Sequence, residues 1–323
     1  MISVHLESGR VSVRRQPLPR VPLGFARIRL LAAGICSTDL ELQRGYYGFS
    51  GTPGHEFVGE VVTIADGADN AKWIGHRVAG EINLACGHCE WCARGLGRHC
   101  PTRTVLGIVK HPGAFREFLT LPTRNLHRVP DSMSTEQAVF IEPVAAACEI
   151  LDQVKIPKGD RVALLGDGKL GLLVAQVLQA QGARVHLFGR HHQKMRIVEK
   201  AGVTTELLPK KLPVRAYRWV VDATGSPEGL PAAVTMCEPR GTIIMKSTVH
   251  GLVTVDTAPV IVNEVTLVGS RCGRFEPAIR LLASHKLDVA PMISDEFPLD
   301  RAPKAFAQAA TKGVLKVLLL PAG

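Results

Sequence analysis

Between residues 161 and 189 the chain reads RVALLGDGKLGLLVAQVLQAQGARVHLFG: a short apolar run, a turn holding three glycines, a stretch of helical period and a second apolar run. Short apolar runs without alternation suit strands buried on both faces, and their alternation with helices builds a parallel sheet. The turn Gly166-Asp167-Gly168-Lys169-Leu170-Gly171 has the spacing G-x-G-x-x-G. Placed between a strand and a helix, its first glycine permits a tight turn and its second lets a pyrophosphate approach the backbone. The third lets helix and strand pack closely, and the helix N-terminus faces the phosphates. Gly166, Gly168, Lys169 and Leu170 are therefore expected at a dinucleotide. Further strand-like runs at YRWVVDATG, GTIIMKS and VTLVGS extend the sheet.

Where an NAD site carries an acid at the end of the second strand, to bond the ribose hydroxyls, this chain has Gly189, followed by Arg190, His191, His192 and Lys194. A carboxylate there repels a 2′-phosphate, whereas a guanidinium forks onto it and an ammonium adds a point charge. The pattern points to NADP(H), with Gly189, Arg190 and Lys194 in the site, and NAD(H) remains open. A Gly189→Asp exchange is expected to move the preference towards NAD.

Ahead of this segment, residues 1 to about 130 show short alternating or apolar runs such as FARIRLLAAG and FVGEVVTIA, broken by glycine and proline, and read as β-rich. A length of 323 residues suits two domains. No apolar run is long enough to span a membrane, and the start of the chain has neither the apolar core of a secretory signal nor a transit-peptide composition, so a cytoplasmic location is expected. The net charge of +10 is spread without basic runs or interleaved aromatics. That favours a solvated surface hospitable to anionic cofactors over nucleic acid.

Four of the eight cysteines fall at C-x2-C-x2-C-x7-C: Cys86, Cys89, Cys92 and Cys100. Four thiolates complete a tetrahedral zinc shell and leave no position for substrate, which makes the site structural; a redox or iron–sulfur role is the alternative. Chemistry then needs a second centre, and residues 34–62 supply one thiol, one imidazole and one carboxylate in Cys36, His55 and Glu56. Such a set holds zinc with one position open, and Glu142 is a further carboxylate able to complete or exchange with it. With one thiolate and one carboxylate the centre is near neutral, which suits a neutral alcohol whose pKa the metal lowers.

Taken together, GICSTD, GHEFVGEV, the four-cysteine lobe, the IEP element, GDGKLG, DATG and GSRCGRFEPAIRLL make the chain resemble the zinc-dependent medium-chain dehydrogenase/reductase family, alcohol dehydrogenase-like, over essentially its whole length. The resemblance implies an α/β protein: a GroES-like β-rich catalytic domain, 1–143 and 268–323, and a Rossmann doubly wound domain, 144–267. It implies two zinc ions per chain, one catalytic at Cys36 and His55 with Glu56 and Glu142 sharing the remaining coordination, and one in the cysteine lobe. It also implies a nicotinamide cofactor, a small alcohol or carbonyl substrate, and assembly as a dimer or tetramer. Thr38 resembles the hydroxyl that takes the substrate proton. Many relatives continue that relay through a histidine five residues after the first zinc cysteine; here the position is Glu41, so either Glu41 or water carries the proton. Polyol or sugar dehydrogenase activity with NAD, and a non-catalytic zinc- or cofactor-binding role, are the rival readings. Tyr46, Tyr47 and Phe49 are read either as a pocket wall or as core aromatics.

Overall fold

Phe25–Gly34 alternates buried Ala26, Ile28, Leu30 and Ala32 with the more accessible Arg27 and Arg29, the period of two of a strand with one face in a core. It pairs antiparallel with Glu56–Ile64, in a register that sets Gly34 opposite Glu56, and on its other side with Phe118–Pro122. Lys316–Leu320, from the far end of the chain, also pairs antiparallel with Phe25–Gly34, setting Leu318 opposite Gly34. With Arg77–Gly80, Leu126–Arg128 and Ile293–Pro298 these strands form one seven-stranded sheet.

In this computed structural model, which describes residues 1–65, 70–249 and 251–322, the sheet belongs to a unit made of Met1–Glu142 and Met292–Gly323. A small three-stranded sheet in the same unit, Asn83–Leu84, Thr104–Leu106 and Lys110–His111, closes the base of the cysteine loop by pairing Asn83 with Val105 and Leu84 with Thr104.

The second unit, Pro143–Pro291, is built on six parallel strands in the order Thr204–Leu207, Arg184–Gly189, Arg161–Leu165, Tyr217–Asp222, Cys237–Met245, Thr266–Gly269. In chain order this is 3-2-1-4-5-6. The direction of winding reverses between the first and fourth strands, where ligands gather beyond the strand ends. Val162 to Leu165 are all buried, as a strand covered on both faces requires. The helix that follows, Lys169–Ala180, buries an unbroken run from Gly171 to Leu178.

The return to the first unit comes at Met292, later than the residue 268 expected from the sequence. Residues 268–291 stay with the parallel sheet because close backbone and side-chain contacts hold them there. A Cβ on Gly273 would lie 1.8 Å from the Ala145 carbonyl oxygen, so only glycine allows that approach. Arg274 donates to both Asp152 oxygens at 3.0 and 3.1 Å, and the Gln176 side chain exchanges two hydrogen bonds with the backbone of Asp288. Among the described residues no helix is long and apolar enough to cross a membrane.

Candidate metal centres and dinucleotide cradle

Strand register assembles the first centre. With Gly34 opposite Glu56, chain continuity brings Cys36, just past the end of one strand, beside His55, just before the start of the other. The ligand atoms of Cys36, His55 and Glu56 lie within 4.8 Å of one another, close enough for small side-chain rotations to close them on one ion at about 2.0–2.3 Å. His55 and Glu56 are buried.

Asp39, fully buried, organises this set. It is the third residue of the helix Ser37–Gln43, whose N-cap is Cys36, and its Oδ2 accepts from the Cys36 backbone N–H at 2.8 Å in a capping box. Its Oδ1 accepts from the Gly54 N–H at 3.2 Å and lies 3.5 Å from His55 Nδ1, long for a hydrogen bond but close for a charge. Burial works against a charged His55, yet Asp39 and Cys36 outweigh it and hold the imidazolium pKa well above its ordinary value. A buried imidazole between a thiol and a carboxylate is a donor set suited to a divalent cation, which takes the place of the proton.

Lys316 stands on the other side. Leu318 faces Gly34, so the antiparallel register carries Lys316 to the level of Cys36, where its ammonium pairs with Glu56 Oε2. Both side chains are 2 % exposed. Desolvation opposes the ammonium, but Glu56, Cys36 and Glu142 together raise its pKa. Gly34 makes room for the pair, since a Cβ there would lie 2.7 Å from Glu56 Oε2 and 3.0 Å from Lys316 Cδ. Replacing Lys316 with Met leaves Glu56 buried and unpaired, and is expected to cost about 3 kcal/mol of stability, with Lys316→Arg costing much less. Urea unfolding monitored by circular dichroism measures both; equal losses for Met and Arg would contradict a role for the charge.

Of the other expected members, Thr38 stays beside Cys36, whereas Glu142 and Glu41 do not join the three ligands. Glu142 lies outside the three-ligand group, although its charge reaches Lys316. Thr38 Oγ1 is 3.7 Å from Cys36 Sγ. Glu41 is partly exposed and bridges to Arg44 Nη1 at 2.5 Å, so its carboxylate is engaged at the surface. Tyr46 is only half-buried and Tyr47 is exposed, which removes these two from the core. Sequence reasoning missed Asp39 and Lys316. Both had a local signal: an acid at the third helical position, and one lysine inside the apolar run VLKVLLL.

The second centre is the cysteine lobe. The four sulfurs of Cys86, Cys89, Cys92 and Cys100 gather within 4.8 Å, three of their pairs being 3.9, 3.5 and 3.8 Å apart, and all four are free thiols. A tetrahedron with zinc–sulfur bonds of about 2.3 Å has edges of about 3.8 Å. The Cys86 thiol is drawn down to about 5, chiefly by the His88 backbone N–H. Cys89, despite the N–H of Cys92, is pushed up to about 11 by burial and the neighbouring sulfurs. Four sulfurs so crowded share negative charge only when a cation sits among them, and the set therefore fits zinc. His88 and His99 lie exposed in the loop, outside the four-sulfur group.

In the second unit a cavity of about 260 Å³ opens where the strands Arg161–Leu165 and Arg184–Gly189 end. Gly166, at φ +111°, turns the chain against the Ala223 carbonyl, and a Cβ on Gly171 would meet the Gly166 carbonyl oxygen at 2.0 Å. Around Gly168 a Cβ would meet nothing within 4 Å, so the space beside this backbone is open to a pyrophosphate. Lys169 and Leu170 begin the helix behind the turn. Gly189, Arg190 and His191 line the cavity with Asp167 and Glu228, whereas Lys194 is not among the lining residues.

The Glu228 pKa is lowered first by the Ser226 hydroxyl and further by the charge of Arg190. Asp222 accepts from the Thr224 N–H and hydroxyl and from Ser247, fixing the DATG turn at another wall. The expected effect of Gly189→Asp needs correction. A Cβ at 189 would stand 2.5 Å from Met195 Sδ and 2.8 Å from Asp167 Cβ, so a side chain does not fit while Asp167 is present.

Comparison with known proteins gives independent bearings. Residues 24–131 match the alcohol dehydrogenase GroES-like domain, and residues 170–284 match the zinc-binding dehydrogenase family. Sorbitol dehydrogenase of Halalkalibacterium halodurans is 26% identical over 333 residues, 97% of this chain and 96% of its own. A Sinorhizobium meliloti 1021 protein of the zinc-binding dehydrogenase class, solved with NADP bound, superposes with a TM-score of 0.89 at 28% identity, covering 99% of each chain. The alcohol dehydrogenase of Thermus sp. ATN1 gives 0.91 at 28% identity, over 100% of both chains.

Proposed function

Because the chain belongs to the zinc-dependent medium-chain dehydrogenase/reductase family and is an alcohol dehydrogenase-like oxidoreductase, we propose that it transfers a hydride between a small alcohol or carbonyl substrate and a nicotinamide cofactor, with NADP(H) preferred. The observation that carries this reading is the difference between its two ligand sets. One has four thiolates, complete in itself; the other has three unlike ligands, Cys36, His55 and Glu56, held together by strand register. Three protein ligands are the hallmark of a zinc that accepts substrate.

When bound, the metal supplies a Lewis acid that lowers the pKa of an alcohol, and the nicotinamide supplies the hydride acceptor or donor. The chain's own residues do the rest. Cys36, His55 and Glu56 hold the ion, with Glu142 near enough to Lys316 to share the local charge. Asp39 keeps the Cys36 backbone and the His55 ring in place. Lys316 draws the Glu56 carboxylate to one side and so moderates how much negative charge it lends to the centre. Thr38, whose hydroxyl lies 3.7 Å from the Cys36 sulfur, takes up the substrate proton, which passes on to water, since Glu41 is occupied by Arg44.

In the second unit Gly166, Gly168 and the start of the helix Lys169–Ala180 receive the pyrophosphate, and Arg190 reads the 2′-phosphate. NADP bound to the Sinorhizobium relative supports that choice. A polyol or sugar dehydrogenase is the second reading, favoured by the likeness to sorbitol dehydrogenase. Primary, secondary, polyol and sugar alcohols assayed with NADP and with NAD, followed at the reduced-nicotinamide absorbance, separate the two. Turnover of simple alcohols with NADP is expected; turnover confined to polyols with NAD would replace the first reading by the second.

A further inference from the structure

We propose that Asp167 is the residue that sets how this site treats the adenosine ribose: it holds in place the turn that carries Arg190, and it fills the volume that an acid at the end of the second strand would need. This rests on the dinucleotide reading above and deepens it.

Asp167 is the first variable residue of the glycine turn, 7% exposed, and lines the cavity. Its Oδ2 accepts from the backbone N–H of Arg190 at 2.9 Å and of His191 at 2.6 Å, and lies 3.0 Å from His191 Nδ1. Hydrogen bonds to an ionised acceptor are about twice as strong as neutral ones, and two backbone N–H groups donate to this one oxygen. They also join the end of the second strand to the turn after the first. Arg190 has an exposed side chain, and without that attachment it would issue from a loose backbone.

The same aspartate dictates the residue beside it. A Cβ at position 189 would lie 2.8 Å from Asp167 Cβ and 3.0 Å from its Cγ. The Met195 thioether, also 2.5 Å from that point, sits on a flexible though fully buried side chain and yields more readily than a Cβ. Asp167 Cβ is fixed to its own backbone. Position 189 is therefore glycine because position 167 carries a side chain, whose Cβ and Cγ occupy the space. The acid that elsewhere ends the second strand and bonds ribose hydroxyls has been replaced by one on the neighbouring turn that bonds protein N–H groups instead. What remains facing the ribose 2′ position is the fixed turn and its guanidinium.

The test is calorimetric titration of the full zinc-loaded chain, without turnover, using 2′,5′-ADP and 5′-AMP as probes of the ribose site and NADP and NAD as whole cofactors. Asp167→Ala is expected to weaken 2′,5′-ADP about tenfold or more, the loss expected for bonds to a charged acceptor, and 5′-AMP less than about threefold. Asp167→Asn, which keeps an acceptor for the two backbone N–H groups, is expected to stay within about threefold of the unaltered chain on both probes. Gly189→Asp alone is expected to weaken NAD and NADP alike, whereas Asp167→Gly with Gly189→Asp, which removes the Cβ that blocks position 189, binds NAD more tightly than Gly189→Asp or Asp167→Gly alone, a coupling that a double-mutant cycle reads directly.

Equal weakening of both probes by Asp167→Ala, or NAD binding by Gly189→Asp alone as tight as by the double variant, overturns the proposal. Should Asp167→Ala fail to fold in a thermal melt, Asp167→Ser, of similarly small volume, takes its place. If the unaltered chain prefers 5′-AMP over 2′,5′-ADP, the NADP preference falls, yet comparing Gly189→Asp with the double variant still decides the linkage between positions 167 and 189.

Discussion

Cys36→Ser is expected to leave the chain folded, to lower bound zinc from two ions per chain to one, and to reduce kcat/KM by about three powers of ten. Cys36 is the sole sulfur of the three-ligand centre, and a neutral serine hydroxyl is a poor zinc ligand at neutral pH. Stabilisation of charge on a substrate oxygen by a metal is worth several kcal/mol, and each 1.4 kcal/mol is tenfold in rate. The fold should survive because Cys36 is only partly buried, the Cys36 backbone N–H bond to Asp39 does not depend on its side chain, and the strands on either side keep their register. Elemental analysis, a thermal melt and steady-state kinetics on one preparation check the three parts together. A variant that keeps two zinc ions and full turnover removes Cys36 from the reaction.

Cys100→Ser acts on the other metal and gives a different expected result: loss of one zinc with a large loss of stability. Cys100 is the buried member of its set, and the loop between Leu84 and Thr104 has little else to order it, being short helical turns above a small sheet. Structural zinc contributes apparent folding free energy of order ten kcal/mol in small modules, comparable to the whole stability of a domain. The melting temperature is expected to fall by more than about 10 °C, and amide protection to vanish first in residues 86–103. Hydrogen exchange by mass spectrometry locates the loss. Unchanged protection in this segment would mean that the sulfurs do not hold it.

Much of this architecture is legible in local sequence. The glycine turn between an apolar strand and a helix announces the parallel sheet, because φ values and helix period are properties of neighbouring residues. The spacing of Cys86, Cys89, Cys92 and Cys100 announces a metal, because a single loop brings its own four sulfurs together. The alternation in FARIRLLAAG marks a half-buried strand. Where the chain passes from one unit back to the other was harder to read, since the helix Phe275–Ala283 carries the same amphipathic pattern whichever unit it packs against.

The tertiary structure alone decided the partners that meet from far apart. Lys316 lies 260 residues from Glu56 and reaches it through the register of a third strand. Asp39 touches His55 because two strand ends coincide, and Asp167 excludes a side chain at 189 because adjacent parallel strands end at one level. Spacing along the chain fixes geometry only over the few residues that share a turn; which charges neutralise one another across a sheet depends on how strands are ordered and aligned, and that emerges only when the whole core is packed.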